Sequence, residues 1–202
     1  MNTQDDEIAD LPLFPLGTVL FPGGMLPLRV FETRYMDMTR ECMKGDRPFG
    51  VCLIREGAEV GKPAVPEAIG SLAHICDWDM PELGLLSLRA RGGERFRIVE
   101  RTVTKQGLVR ARVKLLEPEE DAPVPAAFAG CARLLQVVVA DQKPGTFGEP
   151  HRFDSASWVG YRLSEILPVP VKAKQKLLEL DGSIARLEIL QRFLEQRGLA
   201  SR

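Results

Sequence analysis

The spacing of apolar and polar residues changes character along the chain, and each change marks an element. From Leu11 to Leu28 large apolar residues are interrupted by Pro12, Pro15, Pro22 and Pro27. Each proline removes an amide donor and clashes with the preceding helical turn, so this stretch is extended. Sheets accept proline at strand starts, edges and bulges, which predicts strands of about three to five residues broken at Gly17 and again at Gly23-Gly24. From Phe31 the apolar positions fall at Phe31, Tyr35, Met38 and Cys42, the spacing of a one-faced helix that opens at Glu32 or Thr33 and stops at Gly45.

Strand period then returns. Phe49 to Ile54 is a short apolar run that reads as a buried strand, and Ile69 to Trp78 re-enters the sheet after a loop from Gly57 to Pro66. Leu86 to Arg91, Glu94 to Glu100 and Leu108 to Leu115 alternate strictly. Leu86, Leu88, Ala90, Phe96, Ile98, Val109, Ala111 and Val113 share one face, while Arg89, Arg91, Arg95, Arg97, Arg110, Arg112 and Lys114 share the other. Gly92-Gly93 suits a two-residue hairpin turn between the first two segments. The expected result is an antiparallel meander with a wet basic face.

Asp77 to Leu85 is expected to be a connecting loop, with Trp78, Met80 and Leu83 covering the end of the sheet or offering adaptable apolar contacts. Glu117 to Pro125, acidic and proline-bearing, separates strand period from helix period. Helices are expected over Ala126 to Val139, Ser155 to Ile166, Lys172 to Leu180 and Gly182 to Gln196. Phe153, Trp158 and Tyr161 are expected to fill a seam between the helices and the sheet.

Composition narrows the function. With 202 residues and 45% apolar content the chain can bury a sizeable core. A formal charge of −1 weighs against partners that demand a positive excess, such as bulk nucleic acid or an anionic membrane. The sequence contains neither a long apolar run nor a signal-like start, which points to the cytoplasm. Cys42, Cys52, Cys76 and Cys131 form no Cys-x-x-Cys pair, so they read as reduced, mostly buried residues, and no metal or cofactor is expected.

Candidate chemistry is sparse. His74 and Cys76 share a strand face, but neighbours two apart on a strand stay roughly 6 to 7 Å apart at Cα and no orienting acid is evident. Asp77 and Asp79 share the opposite face and read as solvated acids rather than an acid-base pair. The chain has no glycine-rich phosphate loop followed by lysine, and no Ser-Lys dyad is indicated around Ser164 or Ser183.

The order of three segments resembles a known family. The proline-broken start, then LPLRVFETRY at Leu26 to Tyr35, then GERFRI at Gly93 to Ile98, resemble the LON substrate-binding domain, found at the amino terminus of ATP-dependent Lon proteases and as a free-standing protein. The family helix usually opens Phe-Glu-Pro-Arg-Tyr, and Thr33 stands here in place of the proline. The resemblance implies an α+β fold: a PUA-like β-barrel over residues 1–120, then a part of about four helices over 121–202 packed on it. It also implies a non-catalytic module that binds unfolded or exposed apolar polypeptide segments, with a protease or chaperone component as a further partner.

The means suggested by the residues are Trp78, Met80, Leu83 and Met25, with strand edges near Leu11 to Pro27 free to accept main-chain hydrogen bonds. Two other readings stand beside this one. PUA-like barrels also bind RNA, for which Arg89, Arg91, Arg110 and Arg112 would supply a charged contact face, though acids at Glu94, Glu100 and Glu117 lie close by. The other is an enzyme with an unrecognised site.

Overall fold

The structure, a computed structural model, describes residues 6–199. Its first strand, β1 (Glu7–Leu16), is ten residues long rather than a set of short pieces, despite Pro12 and Pro15. The reason lies in its two partners. β1 pairs antiparallel with β6 (Val109–Leu115) as far as Leu13, and parallel with β3 (Phe49–Glu56) only from Leu13 onward. Pro12 precedes the β3 pairs and Pro15 follows the β6 pairs, so each proline stands where just one side of the strand is paired. β1 therefore lies between β3 and β6 in the strand order, its two half-ladders overlapping at Leu13.

β2 (Met25–Val30) leads into α1 (Thr33–Gly45), and β4 (Val65–Glu82) and β5 (Leu85–Val103) form a long hairpin. The strand order is β2-β5-β4-β3-β1-β6, with β5 also pairing β6, so the ladder closes on itself and β2 hangs from β5 alone. Gly92-Gly93 is not a turn. β5 runs straight through it, pairing with β2 up to Arg91 and with β6 from Phe96. At the handover Gly92 exchanges backbone hydrogen bonds with the Gly23-Gly24 segment, and a Cβ on Gly92 would stand 2.1 Å from the Phe21 carbonyl oxygen. Close backbone approach, rather than turn formation, is what requires glycine here.

Other expectations change for related reasons. The hairpin bend falls at Leu83-Gly84, where Gly84 has φ of 85°, so Trp78 and Met80 belong to β4 and not to a loop. Arg95 is buried beside Phe96, where the β4 register shifts between Ser71 and Ala73, and does not join the wet face. α1 buries Tyr35, Met38 and Cys42 as its period implied, but Phe31 precedes the helix and is 57% exposed. Glu32 is its N-cap without a side-chain cap bond, and Asp46, in the left-handed region at φ 47°, closes it after Gly45. Two apolar clusters fill this part, one around Phe14, Tyr35, Phe49 and Leu88, the other around Leu13, Phe96, Val109 and Val113.

The chain divides into two compact units between Glu117 and Pro118. The second holds α2 (Ala129–Asp141), preceded by a short 3-10 turn, then α3 (Ala156–Ile166), α4 (Val171–Glu179) and α5 (Ser183–Gln196). Ser155 caps α3 by accepting from the Trp158 amide. Phe153 packs edge-on against Trp158, and Tyr161 lies under the Arg186 guanidinium, so both contacts are made within this unit.

Arg186 is fully buried. It donates to the Leu177 and Leu180 carbonyls and to both oxygens of Glu119, at 2.9 and 2.6 Å, and stacks 4.1 Å from the Tyr161 ring centroid. One guanidinium thus ties α3, the end of α4, α5 and the segment before α2. Glu119→Gln leaves that buried cation unpaired and should lower unfolding free energy by about 3 to 5 kcal/mol in a urea titration. An unchanged midpoint would show the pair to be dispensable.

Near the α3–α4 junction Glu165 accepts from Arg162 at 2.7 Å, with 22% of its side-chain surface still accessible. Burial pushes its carboxyl up from 4.5 to about 7, against the lowering effects of Arg162 and Lys174. Between those two values the folded chain holds a proton that the unfolded chain has released, so stability should fall as pH rises through the window. Glu165→Gln should flatten that decline, measured as urea midpoints across it; a slope kept by the variant would assign the dependence to another group.

Candidate functional site

Cross-strand pairing on the β2-β5-β4 ribbon builds one apolar face. Leu26, Leu28 and Val30 stand opposite Ala90, Leu88 and Leu86 on β5, and Ala90 and Leu88 stand opposite Ile75 and Trp78 on β4. Directly paired residues point to the same side, so Leu28, Leu88 and Trp78 form a continuous row. Leu88 is 2% exposed, whereas Trp78 is 52% exposed, so the row begins in the core and ends in solvent. Met80 is 44% exposed and Leu83, at the bend, is 100% exposed. These three do not cover the sheet's end; they project from it.

Met25 is not part of that tip. It pairs with Arg91, at the opposite end of β2 from Val30 and Leu86, and is half-buried.

At the other side of the row, along the free edge of β2, lies a slot of about 310 Å³. Its floor is the Phe14–Tyr35 stack, with ring centroids 4.0 Å apart, and its mouth carries the exposed Phe31 and Val60. Arg34 lies 4.7 Å from the Tyr35 centroid, pairs with Glu32 at 3.0 Å and donates to the Gly107 carbonyl, which holds the start of α1 against the sheet. Burial raises the Tyr35 phenol, the Arg34 charge opposing it, so the ring presents a neutral surface. Glu59 accepts from the Gly17 amide at 2.6 Å and fixes the loop that forms the far wall.

The sequence did not single out this slot. Its signal was nonetheless present in Leu26, Leu28 and Val30 alternating directly into Phe31, an apolar period that ends at a helix start. In the second unit a further apolar recess of about 630 Å³ lies between α4 and α5, lined by Leu177, Leu180, Ile189, Leu190 and Phe193.

The arginine face is largely spoken for. Arg110, 17% exposed at the side chain, pairs with Asp10 at 2.6 Å and with Glu41; Arg112 lies 3.6 Å from both Glu7 and Glu100. Arg89 and Arg91 remain exposed, opposite Asp77 and His74 on β4. A phosphate backbone would have to displace carboxylates already in place, which weighs against RNA.

The Cys76 thiol lies 3.5 Å from the His74 carbonyl oxygen, and the His74 imidazole packs beside Gly93. The two side chains form no thiol–imidazole pair. Cys76 is exposed, unlike Cys42, Cys52 and Cys131, whose thiols burial pushes upward. Asp77 and Asp79 accept from the Trp78 and Met80 amides and so shape the β4 backbone at its irregularities. Among the described residues no cluster of His, Cys, Asp and Glu is placed to hold a metal, and no helix is long and apolar enough to cross a membrane.

The mixed six-stranded sheet and the helical second unit match the fold of a described family. The model of the ATP-dependent protease La (LON) substrate-binding domain matches residues 10–196. The chain belongs to the LON substrate-binding domain family. A Lon N-terminal domain protein from Xanthomonas campestris is 39% identical, with TM-score 0.76 over 91% of this chain and 97% of that one. The N-terminal domain of Mycobacterium avium complex Lon protease shares the fold at 16% identity, TM-score 0.60, over 92% of this chain and 98% of that one. The Lon protease 2 of Myxococcus xanthus is 27% identical over 93% of this chain and 24% of its own length. The Xenopus tropicalis protein cereblon is 30% identical over 60% of this chain and 27% of its own length. The LON chain therefore spans about a quarter of the curated relatives it matches. Its family membership is that of a substrate-binding domain, not of the catalytic part of Lon.

Arginines in this LON chain should differ by their partners rather than by their shared face. Arg91→Gln, an exposed substitution, should stay within about 0.5 kcal/mol of the parent in a urea titration. Arg110→Gln, which separates two carboxylates from their cation, should cost about 1 kcal/mol. Equal effects would mean that the Asp10 and Glu41 pairs add nothing.

Proposed function

We propose that this chain is a non-catalytic polypeptide-recognition module that takes up exposed apolar segments of unfolded proteins. The observation that carries the proposal is the apolar row from the β2 slot through Leu88 to Trp78, with Met80 and Leu83 beyond it. Leu88 itself is buried, so what lies open is the β2 slot at one end of the row and Trp78, Met80 and Leu83 at the other. Apolar surface left open in this way marks a binding site, and one that is not deeply enclosed suits many side chains. Trp78 and Met80 supply area and adaptability without fixing one sequence. The cytoplasm as its setting, and a protease or chaperone component as the recipient of its clients, complete the proposal.

Binding should be weak, near 1 to 10 μM or roughly −7 to −8 kcal/mol, because an unfolded segment loses its conformational freedom on capture. The test is a fluorescence titration with a permanently unfolded protein, repeated on Trp78→Ser with Met80→Ser. The double variant should bind several-fold more weakly with an unchanged circular dichroism spectrum. No binding by the parent chain up to about a millimolar segment would reject the proposal.

A further inference from the structure

We infer that the client segment docks as an added strand on the free edge of β2, with apolar residues two apart facing the slot and an acidic residue between them opposite Arg29. The inference rests on the polypeptide-binding reading and gives its substrate a chemical class.

β2 is the terminal strand of the sheet, with β5 as its one ladder partner. In such a strand alternate peptide groups point away from the partner and need a hydrogen-bonding substitute. The slot is lined by every residue from Leu26 to Glu32, from both faces of the strand. A pocket under one face would touch alternate residues; one that touches them all lies against the backbone edge. Pro27 removes one donor and leaves the rest.

The side-chain rows fix what the added strand should look like. Residues continuing the Leu26, Leu28 and Val30 row enter the apolar slot over Phe14 and Tyr35, so they should be apolar. The intervening residue continues the Pro27 and Arg29 row. Of the charged groups at the slot, Glu32 is engaged by Arg34 and the Gly61 amide, and Glu59 by the Gly17 amide. Arg29 is exposed and, among the described residues, has no carboxylate partner. Opposite charges directly across two strands attract and like charges repel, so the middle position should favour Asp or Glu over Lys or Arg.

Pro27 and Arg29 are also what an edge guarded against self-pairing carries. A merely guarded edge has no use for a built recess with an aromatic floor in front of it.

The probes are fluorescent peptides as long as β2 with an Ile-Glu-Ile centre, an Ile-Lys-Ile centre, and the Glu peptide N-methylated at alternate amides, titrated onto the whole chain. The Glu peptide should bind about threefold to tenfold more tightly than the Lys peptide, and Arg29→Glu, an exposed substitution, should reverse that order. N-methylation in one of the two alternating registers should weaken binding about tenfold, since it removes the main-chain bonds. A preference unmoved by Arg29→Glu, or affinity indifferent to N-methylation in both registers, would overturn the strand-addition inference. If such peptides still bind and lose affinity with Trp78→Ser and Met80→Ser, polypeptide recognition survives at the hairpin while strand addition fails. If no peptide or unfolded protein binds at all, both readings fall.

Discussion

The constraint on which the sheet depends is that β5 serves three neighbours with one uninterrupted backbone. β4 runs beside it along most of its length, β2 takes its first half and β6 its second. The exchange happens at Gly92, where the Phe21 carbonyl comes too close for any side chain and the Gly23-Gly24 backbone takes up the hydrogen bonds. Because β6 returns to β1, the ladder closes behind the handover. Because β2 cannot reach β6, it is left with one side unpaired. The accessible edge is thus a consequence of how the closed ladder is completed.

The helical unit is organised by the opposite device, a buried charge in place of a glycine. Arg186 gathers two carbonyls, a bidentate carboxylate and an aromatic face, and Gly160 on α3 leaves room for its stem: a Cβ there would lie 3.2 Å from Arg186 Cδ. Burying an ion pair gains little over apolar packing, but breaking one member is costly, so such a centre favours one arrangement of the helices over near alternatives. Four short helices with modest apolar faces benefit from that discrimination.

Sequence period was a good guide wherever one face of an element is buried along its length. Leu86, Leu88 and Ala90 on β5, Val109, Ala111 and Val113 on β6, and Tyr35, Met38 and Cys42 on α1 all point inward as their spacing implied. The misreadings share a cause: long-range backbone partners, which local pattern does not carry. Gly92-Gly93 has turn composition, yet it marks the approach of a segment some seventy residues earlier in the chain. Pro12 and Pro15 look like breaks until two half-ladders are seen to overlap at Leu13. Trp78 and Met80 look like loop residues because the hairpin they lie on is irregular. The slot is not legible in the sequence because its walls come from β1, β2, α1 and the loop before β4, brought together by the ladder and not by proximity in sequence.

The site's character follows from these origins. An edge exposed by sheet closure offers backbone groups, which every polypeptide can match, and the apolar row beside it offers area rather than shape. Backbone pairing without side-chain demands would recruit any unfolded chain, including a second copy of this one, while a deep specific pocket would restrict the clients to a few. A shallow slot with an aromatic floor, the exposed Arg29 and an exposed Trp78-Met80 tip lies between these limits. On the strand-addition proposal its clients are extended, apolar, weakly acidic segments, the kind that folded proteins bury and unfolded ones display.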